Sequence, residues 1–280
     1  MSEAHSRRGG FGGRLRPRPM NVGEIQITPL IDGELVAPAS IAYPSMTEAD
    51  WAPHKRWLTH DGNIELSIGC FVVSIGDRTF LIDAGLGTIK PQGFTGGRLL
   101  DELKANDLTT DDITDVAFTH LHFDHVGWAT QQGEIVFKNA TYRCDAKEWS
   151  HFVAPGGMGE ATRKLTPVAD RLETFDGQTT LAPGLDTLPT PGHTPGHTAL
   201  VVSSGTERAI LLGDAAHCPV ELDETEWEGL GDVDPALAKR TRIAMIDELE
   251  KPGTMASAAH FPGLEFGRVL RANGKAQWTV

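Results

Sequence analysis

Three histidines and an aspartate lie within six residues of each other, directly after a short buried strand. The strand is Val116-Ala117-Phe118 and the segment that follows is Thr119-His120-Leu121-His122-Phe123-Asp124-His125. Because side chains alternate along an extended chain, His120 and His122 point to the same side of the strand end. A turn then brings Asp124 and His125 back toward them. Imidazole and carboxylate donors together suit Zn²⁺ or another divalent first-row metal, so this segment predicts a metal cradle rather than a histidine-rich surface loop.

Further polar motifs stand at the ends of other predicted strands. They are Leu81-Ile82-Asp83-Ala84-Gly85, Thr190-Pro191-Gly192-His193-Thr194-Pro195-Gly196-His197, Gly213-Asp214 after the strand Ala209–Leu212, and Ala258-Ala259-His260-Phe261-Pro262. Each motif places a histidine or an aspartate at or just after a predicted strand end.

The strand, turn and helix signals along the rest of the chain predict two packed β-sheets with helices on their outer faces. Ile64–Ile75 and Arg78–Asp83 form a hairpin around Gly76-Asp77,. Asp234-Pro235 is an N-cap followed by proline and opens a helix that runs to about Glu250. Gly267–Leu270 and Ala276–Val280 are expected to close the sheet.

A second helix is expected over Gly97–Asn106, and Asp145 caps a third, short one,. Glu160–Leu172 is amphipathic, with Pro167 expected to break or kink it. Residues 1–21 predict a basic, disordered tail, and residues 22–280 form one domain.

Composition limits the partners. Lysine and arginine number 25 against 38 aspartates and glutamates, a net charge of −13, which disfavours nucleic acid and anionic membranes. Cys70, Cys144 and Cys218 form no paired motif, which indicates a reducing compartment. No apolar run is long enough for a membrane helix. We expect a cytoplasmic protein with a small-molecule substrate, and a homodimer stays an open alternative.

The ordered set of motifs resembles the metallo-β-lactamase superfamily, in which an HxHxDH segment is followed by His, Asp and His. The resemblance covers residues 22–280 and implies a four-layer αββα sandwich. It also implies two divalent ions, with zinc the expected metal and manganese, iron or cobalt the alternatives. Carried over position by position, the ligands that it implies are His120, His122 and His193 for the first ion, Asp124, His125 and His260 for the second, and Asp214 for both.

The resemblance implies metal-assisted hydrolysis, in which a hydroxide that bridges the two ions attacks the substrate. Asp124 is then both a ligand and a proton shuttle to the leaving group. The family places the histidine after Pro-Gly, His193, on the metal, which leaves His197 a structural role. Asp83 is expected to lie beneath the site and orient a ligand histidine.

Several subfamilies fit the sequence poorly. Nuclease-type members carry an inserted domain and a basic surface, flavodiiron oxidoreductases usually have glutamate where His122 stands, and many zinc β-lactamases have cysteine where Asp214 stands. Glyoxalase II-type thioesterases have a helical C-terminal region, whereas here only 20 residues follow His260.

The best remaining resemblance is to the lactonase and methyl-parathion-hydrolase-like branch. His217 lies three residues after Asp214, where homoserine lactonases often have tyrosine and organophosphate-hydrolase-like members often have histidine. We therefore predict a dinuclear hydrolase of lactones, esters or phosphotriesters in which His217 is catalytic. The alternatives are an organophosphate or aryl-ester hydrolase, a mononuclear iron oxidoreductase and a non-catalytic binder. A wall of aromatic side chains is expected around the substrate: Trp51, Trp57, Phe123, Trp128 and Trp227.

Overall fold

The computed structural model describes residues 17–153, 159–229, 231–272 and 274–280. Most of the predicted N-terminal tail, residues 1–16, lies outside the described residues. The first strand begins at Met20, two residues before the domain boundary expected from the sequence. Within the described ranges, no helix is both long and apolar enough to cross a membrane.

The strands are short except for two that form the longest hairpin. In chain order they are β1 (Met20–Val22), β2 (Ile25–Pro38), β3 (Asn63–Ile75), β4 (Arg78–Ile82), β5 (Phe94–Thr95), β6 (Asp115–Ala117), β7 (Thr130–Gln131), β8 (Glu134–Ile135), β9 (Thr141–Asp145), β10 (Leu172–Phe175), β11 (Thr180–Ala182), β12 (Leu185–Pro189), β13 (Thr198–Ser204), β14 (Glu207–Leu211), β15 (Thr254–Ser257), β16 (Arg268–Ala272) and β17 (Lys275–Thr279).

The helices are α1 (Ala39–Ala42), α2 (Glu48–Trp51), α3 (Leu99–Ala105), α4 (Ala146–Phe152), α5 (Glu160–Leu165), α6 (Val220–Asp223) and α7 (Pro235–Leu249). Short 3₁₀ turns cover Ala52–Trp57, Thr110–Asp112, Thr166–Arg171 and Pro262–Leu264. Asp145 and Asp234 cap α4 and α7 as the sequence indicated, since each side chain accepts a backbone N–H in the first turn of its helix,. Within the predicted helix over 160–172, the α-helix ends at Leu165, and a 3₁₀ turn that contains Pro167 follows it.

Two sheets pack face to face. In the described chain the larger runs β1-β2-β3-β4-β6-β9-β10, with β5 on β2, and the smaller runs β11-β12-β13-β14-β15. Buried apolar side chains from both sheets, Phe71 and Phe80 from the first and Leu200 and Leu211 from the second among them, fill the space between them.

Helices cover both outer faces, which completes the four-layer αββα sandwich and confirms the predicted fold. Leu99 and Leu103 of α3 pack on the larger sheet. Met245, Ile246 and Leu249 of α7 pack on the smaller one.

Parallel strand pairing fixes where the polar motifs meet. β4, β6 and β9 are mutually parallel in the larger sheet, and β14 is parallel to β15 in the smaller. The carboxyl ends of parallel strands lie at the same edge of a sheet, so the segments that follow β4, β6, β14 and β15 converge. These are the segments that contain Asp83, His120, Asp214 and His260.

The expectation that the last two strands close the sheet is wrong. β16 and β17 pair with each other as a separate hairpin, and one bridge, Ala256 to Gly267, links it to β15. The hairpin instead lies against α6, where the N–H of Trp278 donates to Asp223 Oδ1 at 2.6 Å. Trp278 buries its ring on Phe261 in the outer layer.

A buried carboxylate that the sequence pattern did not reveal organises the loops beside the site. Asp32, at the bulge in β2, accepts five hydrogen bonds, from the backbone N–H groups of Leu86, Gly87, Gly97 and Leu99 and from the indole N–H of Trp128. It therefore ties the loop after β4, the start of α3 and the loop after His125 to one strand.

We expect Asp32→Asn to lower the free energy of unfolding by at least about 2 kcal/mol, because the amide places an NH₂ group against buried donors that need an acceptor. Urea unfolding of the metal-free protein measures it. Asp61→Asn, at an exposed side chain, is the control and should change nothing measurable. An Asp32→Asn variant as stable as the parent would contradict the role of this carboxylate.

Candidate metal centre

The seven predicted ligand residues form two adjacent groups at the shared edge of the sheets. Within each group the ligand atoms all lie within 4.8 Å of one another. The first group is His120, His122, His193 and Asp214; the second is Asp124, His125 and His260.

Asp214 lies between the two groups. Its Oδ2 atom is 3.4 Å from His193 Nε2 and 3.7 Å from His120 Nε2 of the first group. The same oxygen is 3.1 Å from His260 Nε2, and Oδ1 is 3.3 Å from His125 Nε2, both in the second group. The carboxylate therefore faces nitrogen atoms of both groups.

The outward nitrogen of each of four rings faces a hydrogen-bond partner. The pairs are His125 Nδ1 with Asp83 Oδ2 at 2.9 Å, His193 Nδ1 with Asp232 Oδ1 at 2.9 Å, His260 Nδ1 with the Ser67 carbonyl at 2.7 Å, and His120 Nδ1 with Thr119 Oγ1 at 3.1 Å. Such contacts orient a ligand ring and fix its tautomer. Asp83 lies where the sequence placed it, and Thr119 holds it there by donating both its N–H and its hydroxyl to the carboxylate.

These contacts determine which nitrogens carry lone pairs. His193 Nδ1 faces a carboxylate and must donate, so its Nε2 is unprotonated. Thr119 donates its hydroxyl to Asp83, so His120 Nδ1 must donate to Thr119 and His120 Nε2 is unprotonated as well. Both lone pairs point at His122 Nδ1, at 3.0 Å from His120 and 2.9 Å from His193.

The donor set fits a cation. Lone pairs that converge without enough protons repel each other, and a metal ion among them removes the repulsion. Among the described residues, Asp214 Oδ1 is a buried oxygen without a hydrogen-bond donor, which an ion would satisfy. Imidazole nitrogens with carboxylate oxygens are the donors that zinc and similar divalent metals bind.

Burial sets the charge of the site. It lowers the pKa of His122 to about 4 and that of His193 to about 3, which keeps both rings neutral and able to bind a metal. Burial alone would raise the pKa of the Asp214 carboxyl, but the surrounding histidines, His260 and His125 foremost, hold it well below its usual value. Burial also disfavours the charged forms of His125 and His260, but the Asp214 carboxylate outweighs this and raises the pKa of both rings. The anion thus lies between neutral rings of the first group and two rings of the second group whose positive charge it favours.

His197 takes the structural place expected for it. Its Nε2 accepts the backbone N–H of Asp214 at 2.9 Å, so Nδ1 carries the proton and donates to Thr190 Oγ1 at 2.7 Å. Both ring nitrogens are therefore occupied by the protein, and His197 belongs to neither ligand group.

A cavity of about 650 Å³ opens above the two groups. Ligand residues line its floor, and an apolar wall is formed by Leu35, Val36, Pro38, Ile41, Phe94 and Phe123. Ile41 is 58% exposed at the rim. Phe123 is thus in the predicted wall, but none of the four tryptophans lines this cavity in the described chain. Trp51, Trp57 and Trp227 belong to an apolar cluster behind the wall, in which Tyr43 contacts the rings of Trp51 and Trp227 and itself lines the cavity. Trp128 packs in the core beneath α3.

His217 borders the cavity, 8% exposed. Its Nε2 is 3.5 Å from Asp214 Oδ2, and its Nδ1 is 3.4 Å from Glu221 Oε1. Burial disfavours its charged form, but the Glu221 carboxylate outweighs this and raises the pKa of His217 to about 9.

Sequence reasoning missed several residues that support the site. Glu221 and Asp232 lie in a strongly acidic stretch whose pattern indicates only a solvated face. Glu148, on α4, is fully buried and accepts the N–H groups of Leu121 and Gly196, which follow His120 and precede His197. The Asp145 cap signal located this helix, but no local signal identified its buried glutamate.

The sequence of this chain is similar to that of known metal-dependent hydrolases. Residues 65–260 match the sequence model of the metallo-beta-lactamase superfamily. The N-acyl homoserine lactonase AiiA of Bacillus thuringiensis subsp. kurstaki is 25% identical over 214 residues, which cover 70% of this chain and 82% of that protein. An N-acyl homoserine lactonase of Bacillus cereus is 24% identical over 216 residues, with the same coverage.

Two solved structures are similar along almost their whole length. AidC, a dizinc quorum-quenching lactonase in complex with a product, superposes with a TM-score of 0.85 at 23% identity, covering 94% of this chain and 97% of that one. Hydrolase AbOPH of the beta lactamase superfamily superposes with a TM-score of 0.84 at 26% identity, covering 95% and 98%.

The contrast between the two neighbouring histidines is testable. We expect His193→Ala to lower the metal content per chain, because it removes a nitrogen that faces His122 and Asp214. His197→Ala should keep the metal content of the parent but lower the free energy of unfolding by about 1–3 kcal/mol, because the buried N–H of Asp214 loses its acceptor. Elemental analysis and urea unfolding separate the two effects. Equal metal loss in both variants would contradict the assignment of the two rings.

Proposed function

The chain belongs to the metallo-β-lactamase superfamily and is a metal-dependent hydrolase, and we propose that it is a lactonase-type enzyme that opens neutral lactones with two bound divalent ions. The observation that carries the proposal is the buried Asp214 carboxylate, which faces both histidine groups on the floor of a cavity with an apolar wall.

The seven side chains have distinct proposed roles. His120, His122 and His193 would hold the first ion, Asp124, His125 and His260 would hold the second, and Asp214, which faces both groups, would contact both ions. Zinc is the proposed metal on ligand type, with manganese, iron and cobalt as alternatives. Two such ions, when bound, activate water at neutral pH and polarise the oxygen of a carbonyl or phosphoryl group.

The residues around the floor handle the proton and the developing charge. Asp124 is partly open to the cavity and next to His260, with Oδ2 3.6 Å from His260 Nε2. We assign it the transfer of a proton to the leaving oxygen. His217 borders the same space, where an N–H can donate to the oxygen on which negative charge develops.

The cavity favours a neutral, partly apolar substrate. Of the described residues that line it, none is lysine or arginine, and its ionisable side chains are Tyr43 and the histidines and aspartates of the site. His217, whose pKa is raised to about 9, already faces Glu221 and Asp214. A substrate with its own negative charge would therefore find no unpaired cationic side chain among these residues apart from the metal ligands. Lactones with an apolar substituent meet both requirements, and the lactonase relatives support this class.

Phosphotriesters and aryl esters form the second candidate class. They are also neutral, and histidine at position 217 is the feature that resembles organophosphate-hydrolase-like members.

The cysteines bear on where the protein acts. Cys70, Cys144 and Cys218 are buried and form no disulfide. This supports a reducing compartment, and we propose the cytoplasm.

A substrate panel tests the proposal. The metal-loaded protein should hydrolyse acyl lactones at least tenfold more efficiently, in kcat/KM, than aryl esters, phosphotriesters or a β-lactam, and chelation should abolish the activity. Elemental analysis should find about two ions per chain. A protein that binds one iron and consumes oxygen, or that binds metal and hydrolyses none of these compounds, would overturn the proposal.

His217 has its own kinetic test. We expect His217→Ala to lower kcat/KM about 10²–10³-fold without loss of metal, because a preorganised donor to the reacting oxygen is removed. His217→Tyr should partly restore lactone turnover, since a phenol can donate from the same place. His60→Ala, at a fully exposed histidine, is the control. If both His217 variants stay within about twofold of the parent on every substrate, the residue has no catalytic role.

A further inference from the structure

Arg242 is buried although it is an arginine. It lies on α7, in the outer layer above the smaller sheet, and is 1% exposed, whereas Arg240 on the same helix is exposed. A guanidinium is rarely taken out of water unless its charge and its N–H groups find partners. The partners of Arg242 therefore indicate why this side chain is buried.

Backbone carbonyls take part of its hydrogen-bonding capacity. Nη1 donates to the Trp227 carbonyl at 2.6 Å, and Nε donates to the Ala215 carbonyl at 3.3 Å. Ala215 directly follows Asp214. The Arg242 side chain thus joins α7 to the segment of the bridging carboxylate and to the loop before Asp232.

Two buried carboxylates face the remaining nitrogen. Nη2 of Arg242 is 3.4 Å from Glu221 Oε2 and 3.9 Å from Asp232 Oδ2. Their side chains are 0% and 2% exposed, respectively. The guanidinium therefore offsets two negative charges that would otherwise repel each other and Asp214.

Each of these carboxylates holds one histidine of the site. Asp232 Oδ1 lies 2.9 Å from His193 Nδ1. Glu221 Oε2 accepts the backbone N–H of His217 at 3.1 Å, and its Oε1 lies 3.4 Å from the Nδ1 atom of the same ring. The rings of His193 and His217 in turn approach Asp214 Oδ2, at 3.4 and 3.5 Å.

We propose that Arg242 is a positioning residue, which aligns a metal-binding ring and a substrate-facing ring together through Asp232 and Glu221. The proposal rests on the metal site proposed above and concerns residues outside it. A planar guanidinium can direct separate N–H groups at two carboxylates and at two carbonyls, whereas a lysine ammonium is a single point charge with three donors. Buried ion pairs contribute little net stability compared with apolar packing, so stability alone is a weak reason for this arrangement.

The main test is Arg242→Lys, which keeps the positive charge and should fold. We expect its affinity for zinc, measured by competition with a chelator, to fall about tenfold, and kcat/KM to fall by at least as much, as for other groups that orient ligand histidines. Arg240→Lys tests the same exchange at an exposed position of α7 and should leave both quantities unchanged. Leu249→Ala, in the apolar core under the same helix, should lower stability without lowering zinc affinity.

A charge-balanced variant covers the case in which Arg242→Lys does not fold. Arg242→Met combined with Glu221→Gln removes one cation and one anion, which avoids an uncompensated buried charge. It keeps Asp232, so a change at His193 cannot come from the loss of that ring's own partner. It should fold and still show the tenfold loss of zinc affinity.

One crystallographic measurement separates this proposal from the proposed function. In the metal-free Arg242→Lys protein, or in the charge-balanced variant if that one alone folds, the distance from position 232 to His193 Nδ1 should exceed hydrogen-bond range or the His217 ring should rotate. If both rings keep their places and zinc affinity stays within twofold of the parent, the proposal is overturned, whatever the substrate. A parent protein that binds no metal would instead overturn the proposed function, and the ring positions would still decide the role of Arg242.

Discussion

The burial of one carboxylate among histidine rings is the constraint on which this structure depends. Asp214 is almost fully withdrawn from water, and the rings of His120, His125, His193 and His260 face it. A buried charge is costly unless compensating groups are held in place around it. Each ring must therefore be fixed from its far side, and the protein does so with a second layer of hydrogen-bond partners.

That second layer extends the constraint through the fold. Asp83 follows a strand of the larger sheet, Ser67 lies within β3, and Asp232 precedes α7, so the site connects both sheets and an outer helix. Asp232 is itself a buried charge, which brings Arg242 into the same network. Contacts between polar groups thus run from Asp214 through the His193 ring and Asp232 to Arg242 on α7. Each of these buried groups needs the next one as its partner.

The backbone around the site must also allow close approach. Gly213 has φ of +56°, and a β-carbon there would lie 2.7 Å from His197 Nε2, the atom that accepts the N–H of Asp214. Gly192 has φ of +134° and lies against the backbone of Ala238 in α7. Any larger residue at either position would displace a loop that contains a ligand. The rigid floor that results lies under a cavity with an apolar wall, an arrangement suited to a neutral substrate whose reacting group must meet both metal positions.

Local sequence determined the elements and motifs whose signals span a few residues: the β3–β4 hairpin, the caps at Asp145 and Asp234, and the chain positions of the ligand motifs. Strand ends followed by polar residues also marked those motifs, whereas the parallel pairing that brings several of them to one edge is a feature of the tertiary structure. The tertiary structure alone decided which distant groups orient them: His193 meets Asp232 across 39 residues, and His260 meets Ser67 across 193. It likewise decided that Asp32 would gather five donors, that Trp51, Trp57, Trp128 and Trp227 would not line the cavity, and that the last hairpin would lie on α6. The physical reason is range: periodicity and capping act between neighbours in the chain, whereas the partner of a buried polar group is chosen by the packing that brings remote segments together.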